Sequence, residues 1–175
     1  QALKIVEGQG QEDCLKTLEQ IMTWRVACSS LAAERCVGRV LLLDDLFGDL
    51  PLIAEKISMG SHNCSFIVSE KRPFLHGSRI ASWILQSSGL DTTVISDNAI
   101  GYIAWKKMVE TVLLEAVITE DGDFLTTSGG YQTAVVCSEN KVEVLVIAYP
   151  FIVKNVSETT TDPKDILQYL SLIHI

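Results

Sequence analysis

The chain has 175 residues, 47% of them hydrophobic and 21% charged, a balance that supports a folded domain with its own core and excludes intrinsic disorder. The formal net charge of −8 opposes a phosphate backbone, and no basic patch overrides it, so direct nucleic-acid binding is not expected. No apolar run approaches the roughly 20 residues a membrane helix needs, and the first residues do not read as a signal peptide.

In chain order, residues 11–35 form an amphipathic helix with an apolar stripe at Leu15, Leu18, Ile21 and Met22, continued by Val26 and Leu31. Residues 1–38 are accordingly expected to be a helix and linker. Four near-continuous apolar runs follow, at 39–45 (RVLLLDD), 64–70 (CSFIVSE), 111–119 (TVLLEAVIT) and 142–150 (VEVLVIAYP), with a shorter one at 92–97 (TTVISD). Such runs mark strands covered on both faces, as in parallel sheets. Helical spacing fills the gaps at 46–59, 78–86 and 131–139. The alternation predicts a three-layer, Rossmann-like, doubly wound and mainly parallel sheet over residues 39–156, with the first helix added. Residues 157–175 read as a tail with a short helix opened by Asp162-Pro163, and 171–175 suggest no element.

The five cysteines, Cys14, Cys28, Cys36, Cys64 and Cys137, are odd in number and widely spaced. They suit buried free thiols in a reducing compartment better than a disulfide framework or a zinc site, so no metal or cofactor is expected. Trp24, Trp83 and Trp105 read as core or interface anchors. Chemistry concentrates in three loops at predicted strand ends. The stretch 69–79 (SEKRPFLHGSR) carries Arg72, His76 and Gly77, a combination that can contact an anion, although the residues alone favour a solvated turn. Asp97 ends the third predicted strand, where an acid binds a hydroxyl-bearing ligand or caps the next helix. Ser128, Gly129 and Gly130 open a helix, where free amides attract phosphate or where a plain turn suffices.

Taken in order, these pieces resemble the domain shared by the regulatory subunits of eukaryotic translation initiation factor two B and the methylthioribose-1-phosphate isomerases. The family pattern of an E-x-R-P loop, a glycine, a strand ending D-x-A, an N-G turn and a G-T-Y/H helix start is filled here by Glu70 to Pro73, Gly77, Asp97 with Ala99, Asp121-Gly122-Asp123, and Gly129-Gly130-Tyr131. Between these, the isomerases carry a cysteine after the first strand, an aspartate in G-A-D-R on the fourth, and an N-K pair before the helix. Those places hold Asp44-Asp45, Ala116 and Thr126-Thr127 in this chain.

The resemblance, with those departures, implies a cytoplasmic, non-catalytic regulatory subunit of the beta type. Such a subunit would form an oligomer with paralogous subunits of the guanine-nucleotide exchange complex and would engage translation initiation factor two. The alternatives are a sugar-phosphate isomerase whose catalysts have moved to Asp44, Asp45 and Glu115, or a sensor of a sugar phosphate or nucleotide monophosphate.

Overall fold

Strand length sets the architecture. The structure, a computed structural model, describes residues 11–60, 63–119, 122–153 and 170–173. Strand β1 (Gly38–Leu42) lies between β2 (Cys64–Ser69) and β4 (Thr111–Thr119), parallel to both. Strand β3 (Asp91–Ile95) extends the sheet beyond β2, and β6 (Glu143–Val153) extends it beyond β4, again in parallel. The parallel order is therefore β3-β2-β1-β4-β6. Strand β1 is only five residues long and covers β4 from Thr111 to Leu113. Beyond the end of β1, the edge of β4 at Ala116 to Ile118 pairs with the short antiparallel strand β5 (Phe124–Thr127) through a hairpin whose Gly122 sits at φ 86. Strand β7 (Leu170–Ile173) then pairs antiparallel with β5.

The connections supply helix α1 (Gln11–Arg35), a 3₁₀ turn and α2 (Leu50–Met59), a π-turn (Gly77–Ala81) running into α3 (Ser82–Ser87), α4 (Ile100–Trp105), and α5 (Gly130–Glu139). Alternation along β1 divides the core. Val40 and Leu42 face α1, α2 and α3 with Phe66, Ile53, Ile57 and Leu85, while Leu41 and Leu43 face α4 and α5 with Ile103, Leu114, Ala134 and Cys137. This is the expected three-layer, doubly wound sheet.

Several local expectations need correction. The apolar stripe of α1 is not its buried face: Leu15, Leu18, Met22, Val26 and Leu31 are exposed, and the helix docks through Ser29, Ala32 and Ala33, with Cys36 just past its end. Small side chains at its C-terminal end allow close approach to α2 and the sheet. Trp83 and Trp105 are 67% and 60% exposed, so neither anchors the core. Cys14 and Cys28 are only half-buried. Cys36, Cys64 and Cys137 are buried, and burial pushes their thiols up to about 12, 11 and 11, which keeps them protonated and unreactive at neutral pH. Leu170–Ile173 forms a strand where sequence suggests no element, while the expected helix at Asp162-Pro163 lies outside the described residues. No helix among the described residues is long and apolar enough to cross a membrane.

Candidate functional site

Parallel strands place the ends of β1, β2, β3 and β4 along one edge of the sheet. The chain winds outward from β1 through β2 to β3 and then returns to β4, so the crevice of the switch point opens above β1 and β4.

The loop after β2 is shaped by Asp97, just past the end of β3. Its Oδ1 accepts the Ser69 hydroxyl and the Lys71 amide (2.8 Å), and its Oδ2 accepts the Arg72 amide (2.7 Å). Lys71 is held at φ 59 in the left-handed region. The loop then doubles back over its own strand. A Cβ at Gly77 would stand 1.8 Å from the Ser69 carbonyl oxygen, so only glycine fits.

The turned loop aims the Lys71 side chain at the crevice. Its Nζ lies 2.7 Å from Asp44 Oδ2, and it donates at 2.7 Å to Thr127 Oγ1 and at 2.7 Å to the Ser128 carbonyl. The Thr127 hydroxyl donates in turn to Asp44 Oδ2 at 2.7 Å. The ion pair is well shielded, with side-chain exposures of 13% for Lys71 and 4% for Asp44.

Beside this junction lies a cavity of about 200 Å³. Asp44 and Asp45 bound it from the segment after β1, Glu115 from β4, Arg72, Phe74 and His76 from the β2 loop, and Ser128 from the turn before α5. Glu115 is buried, and the Thr126 hydroxyl donates to its carbonyl at 2.5 Å. Arg72 is exposed and pairs with Glu70 at 3.2 Å. The arrangement can hold an anion at the basic loop while three carboxylates face whatever the anion carries.

The structure thus joins Arg72, His76 and Ser128 with all three alternative acids, Asp44, Asp45 and Glu115. Asp97, Ser128 and Gly129 border a smaller space of about 90 Å³. Asp97 does not cap the following helix; its carboxylate accepts three hydrogen bonds from the loop after β2. Gly77 and Gly130 line neither space. Gly130 is a packing glycine, since a Cβ there would meet Thr126 Cγ2 at 2.4 Å. Lys71 and Thr127 escape sequence reasoning. Lys71 fills the unspecified position of E-x-R-P, and Thr127 stands where the family pattern carries lysine. No group of three or more His, Cys, Asp or Glu side chains among the described residues is placed to hold a metal ion.

The profile of the initiation factor 2 subunit family matches residues 13–168. The chain belongs to this family. Among solved structures, translation initiation factor eIF-2B of Pyrococcus horikoshii OT3 superposes with a TM-score of 0.68 at 21% identity, over 83% of this chain and 52% of that one. The delta subunit of eIF2B from Chaetomium thermophilum gives 0.72 at 12% identity, over 93% and 57%. These likenesses establish the shared fold. By sequence, the methylthioribose-1-phosphate isomerase of Desulforamulus reducens is 38% identical over 80 residues, 45% of this chain and 23% of that enzyme. The chain spans about a quarter of the length of such curated relatives. These matches correct the expectation of a non-catalytic chain, which rested on Ala116 and the missing cysteine. The family members it matches by sequence are enzymes by name, and Glu115, next to Ala116, borders the cavity.

Burial opposes ionisation of Asp97, but the Ser69 hydroxyl, the Arg72 and Lys71 amides and the Lys71 charge outweigh it and hold the carboxyl below its ordinary 3.8. Its stabilising contribution is therefore complete above the unfolded value and is lost as pH falls through the lower folded one. In urea melts at falling pH, Asp97→Asn is expected to be less stable at pH 7, with the gap to the parent closing as pH drops from the unfolded value through the lower folded one. A gap that stays constant across that range would contradict this role.

Proposed function

We propose that the cavity is the active site of a sugar-phosphate isomerase, of the aldose–ketose type, with catalytic groups moved from the family's positions. The observation that carries this reading is the convergence of Asp44, Asp45 and Glu115 on the same cavity as Arg72 and His76. The phosphate sits against Arg72 and His76, near the Ser128–Gly129 turn, and the sugar reaches toward the carboxylates. Glu115 takes the proton from C2 of the open-chain aldose, leaving an enediolate, and returns it to C1. Asp44 relays the hydroxyl proton from O2 to O1, so the ketose forms with no net gain or loss of atoms. The buried Glu115 meets little bulk water, which protects the intermediate.

A panel of aldose phosphates, with ketose formation followed by NMR, tests the reading. Turnover by the parent and a loss of about 10²–10⁴-fold in Glu115→Gln are expected, the range spanned by a single acid–base group. No turnover across the panel, or full activity in Glu115→Gln, would remove the proposal.

A second reading concerns assembly and is compatible with the first. The exposed stripe of Leu15, Leu18, Met22 and Val26 on α1 is apolar surface of the kind that subunits cover. One structural neighbour is the tetrameric beta–delta complex of eIF2B from Chaetomium thermophilum. We infer that this chain joins an oligomer with paralogous subunits and, in that setting, meets translation initiation factor two. Tagged protein is expected to co-purify with a paralogous subunit, and Leu18→Glu with Met22→Glu to abolish the association. Association unaffected by both charges would exclude this stripe.

A further inference from the structure

We propose that the Lys71 side chain is a crossbar that divides the crevice into two compartments and so limits the length of the sugar phosphate it admits. The length limit rests on the isomerase reading, and the division of the crevice rests on side-chain geometry alone.

The bar is fixed at both ends. At its base the Lys71 amide donates to Asp97 Oδ1 at 2.8 Å, with the backbone in the left-handed region at φ 59. At its tip the ammonium meets Asp44 Oδ2, Thr127 Oγ1 and the Ser128 carbonyl, each at 2.7 Å. An ammonium has three protons, so all are used and none is left for a substrate phosphate. A lysine side chain only 13% exposed is thus held across the crevice, from the β2 loop to the turn before α5.

A space lies on each side of it. The cavity of about 200 Å³ reaches Phe74, His76 and Glu115, and the space of about 90 Å³ reaches Leu43, Asp97 and Ile100. Lys71, Arg72 and Ser128 border both, so the two adjoin along the bar and its Ser128 acceptor. Ligand pockets commonly run from about 300 to 1,000 Å³. The cavity alone falls below that range, and the two spaces together approach its lower end. With the bar in place the cavity suits a short aldose phosphate. Without it, the added space receives a longer chain. Lys71 is in this sense a specificity-determining residue, which sets length and supplies no group to the reaction.

Affinities for four-carbon and six-carbon aldose phosphates, measured by calorimetry, test the limit. The proteins compared are the parent, Lys71→Asn, Lys71→Arg, and Lys71→Asn with Asp44→Asn. Asparagine tolerates the left-handed backbone, arginine still spans the crevice, and the double variant removes the buried carboxylate that the single one leaves unpaired. The parent should favour the shorter sugar by about 10-fold or more, the low end of what one carbon unit is worth in a shaped pocket. That preference should vanish in Lys71→Asn and in the double variant and should persist in Lys71→Arg. Equal weakening of both sugars in Lys71→Asn, with the preference kept, would overturn the proposal by making the lysine a plain charge. A parent that binds both sugars alike would overturn it too. Should Lys71→Asn fail to fold, the double variant carries the comparison. Crystal structures of the parent and the double variant give a reading free of any sugar: two spaces in the parent and one continuous space in the double variant. Two separate spaces in both would overturn the division. If neither sugar binds the parent, the isomerase reading falls, while these structures still decide the division.

Discussion

The Asp97 carboxylate gathers a hydroxyl and two consecutive amides from the loop that leaves β2, and the geometry of the crevice follows from that grip. A strand end would otherwise continue outward into solvent. Here the loop is caught at its first turn, Lys71 is placed in the left-handed region, and the chain folds back until Gly77 touches the strand it has just left. Arg72 and His76 are thereby presented to the switch point, and Lys71 is sent across it. The acid at the end of β3 is engaged by the loop's own donors. It shapes a wall of the site built by its neighbour.

Across the crevice the electrostatics are of another kind. Three carboxylates near one small cavity repel one another, and burying a carboxylate alone is costly. Asp44 escapes that cost because one ammonium and one hydroxyl meet it on the same oxygen, and because that ammonium finds its remaining acceptors close by. Full satisfaction distinguishes a rigid polar junction from a liability. The junction also spans three segments remote in sequence: the end of β1, the loop after β2, and the turn before α5. The site is thus built from the fold's own connections, on a sheet whose switch point brings them together.

Sequence patterns revealed the sheet because its strands are buried on both faces, and runs such as VLLEAVI leave little alternative. They revealed α1 as a helix but misplaced its buried face, since periodicity reports where apolar residues stand and not which side meets a core. Helix α4 and strand β5, of six and four residues, are too short for any periodic signal. In the site, Arg72 and His76 were legible from a loop motif, Asp44 and Asp45 from their place after the first strand, and Glu115 as an acid within an apolar strand. Lys71 was not legible, because its partners lie at positions 44, 127 and 128 and only the folded crossing reveals them. The departures at Ala116 and at the missing cysteine pointed away from an enzyme when read one position at a time. In three dimensions Glu115, beside Ala116, lines the cavity together with Asp44 and Asp45.

The central claim is that the crevice above β1 and β4 binds a sugar phosphate between its basic loop and its carboxylates. Titrating isotopically labelled protein with an aldose phosphate, against inorganic phosphate as reference, examines this directly by amide and side-chain NMR. The account predicts that phosphate alone perturbs Arg72, His76 and the Ser128–Gly129 amides, and that the sugar phosphate extends the perturbation to Asp44, Asp45 and Glu115. Perturbation confined to another surface, or none at saturating ligand, would contradict it.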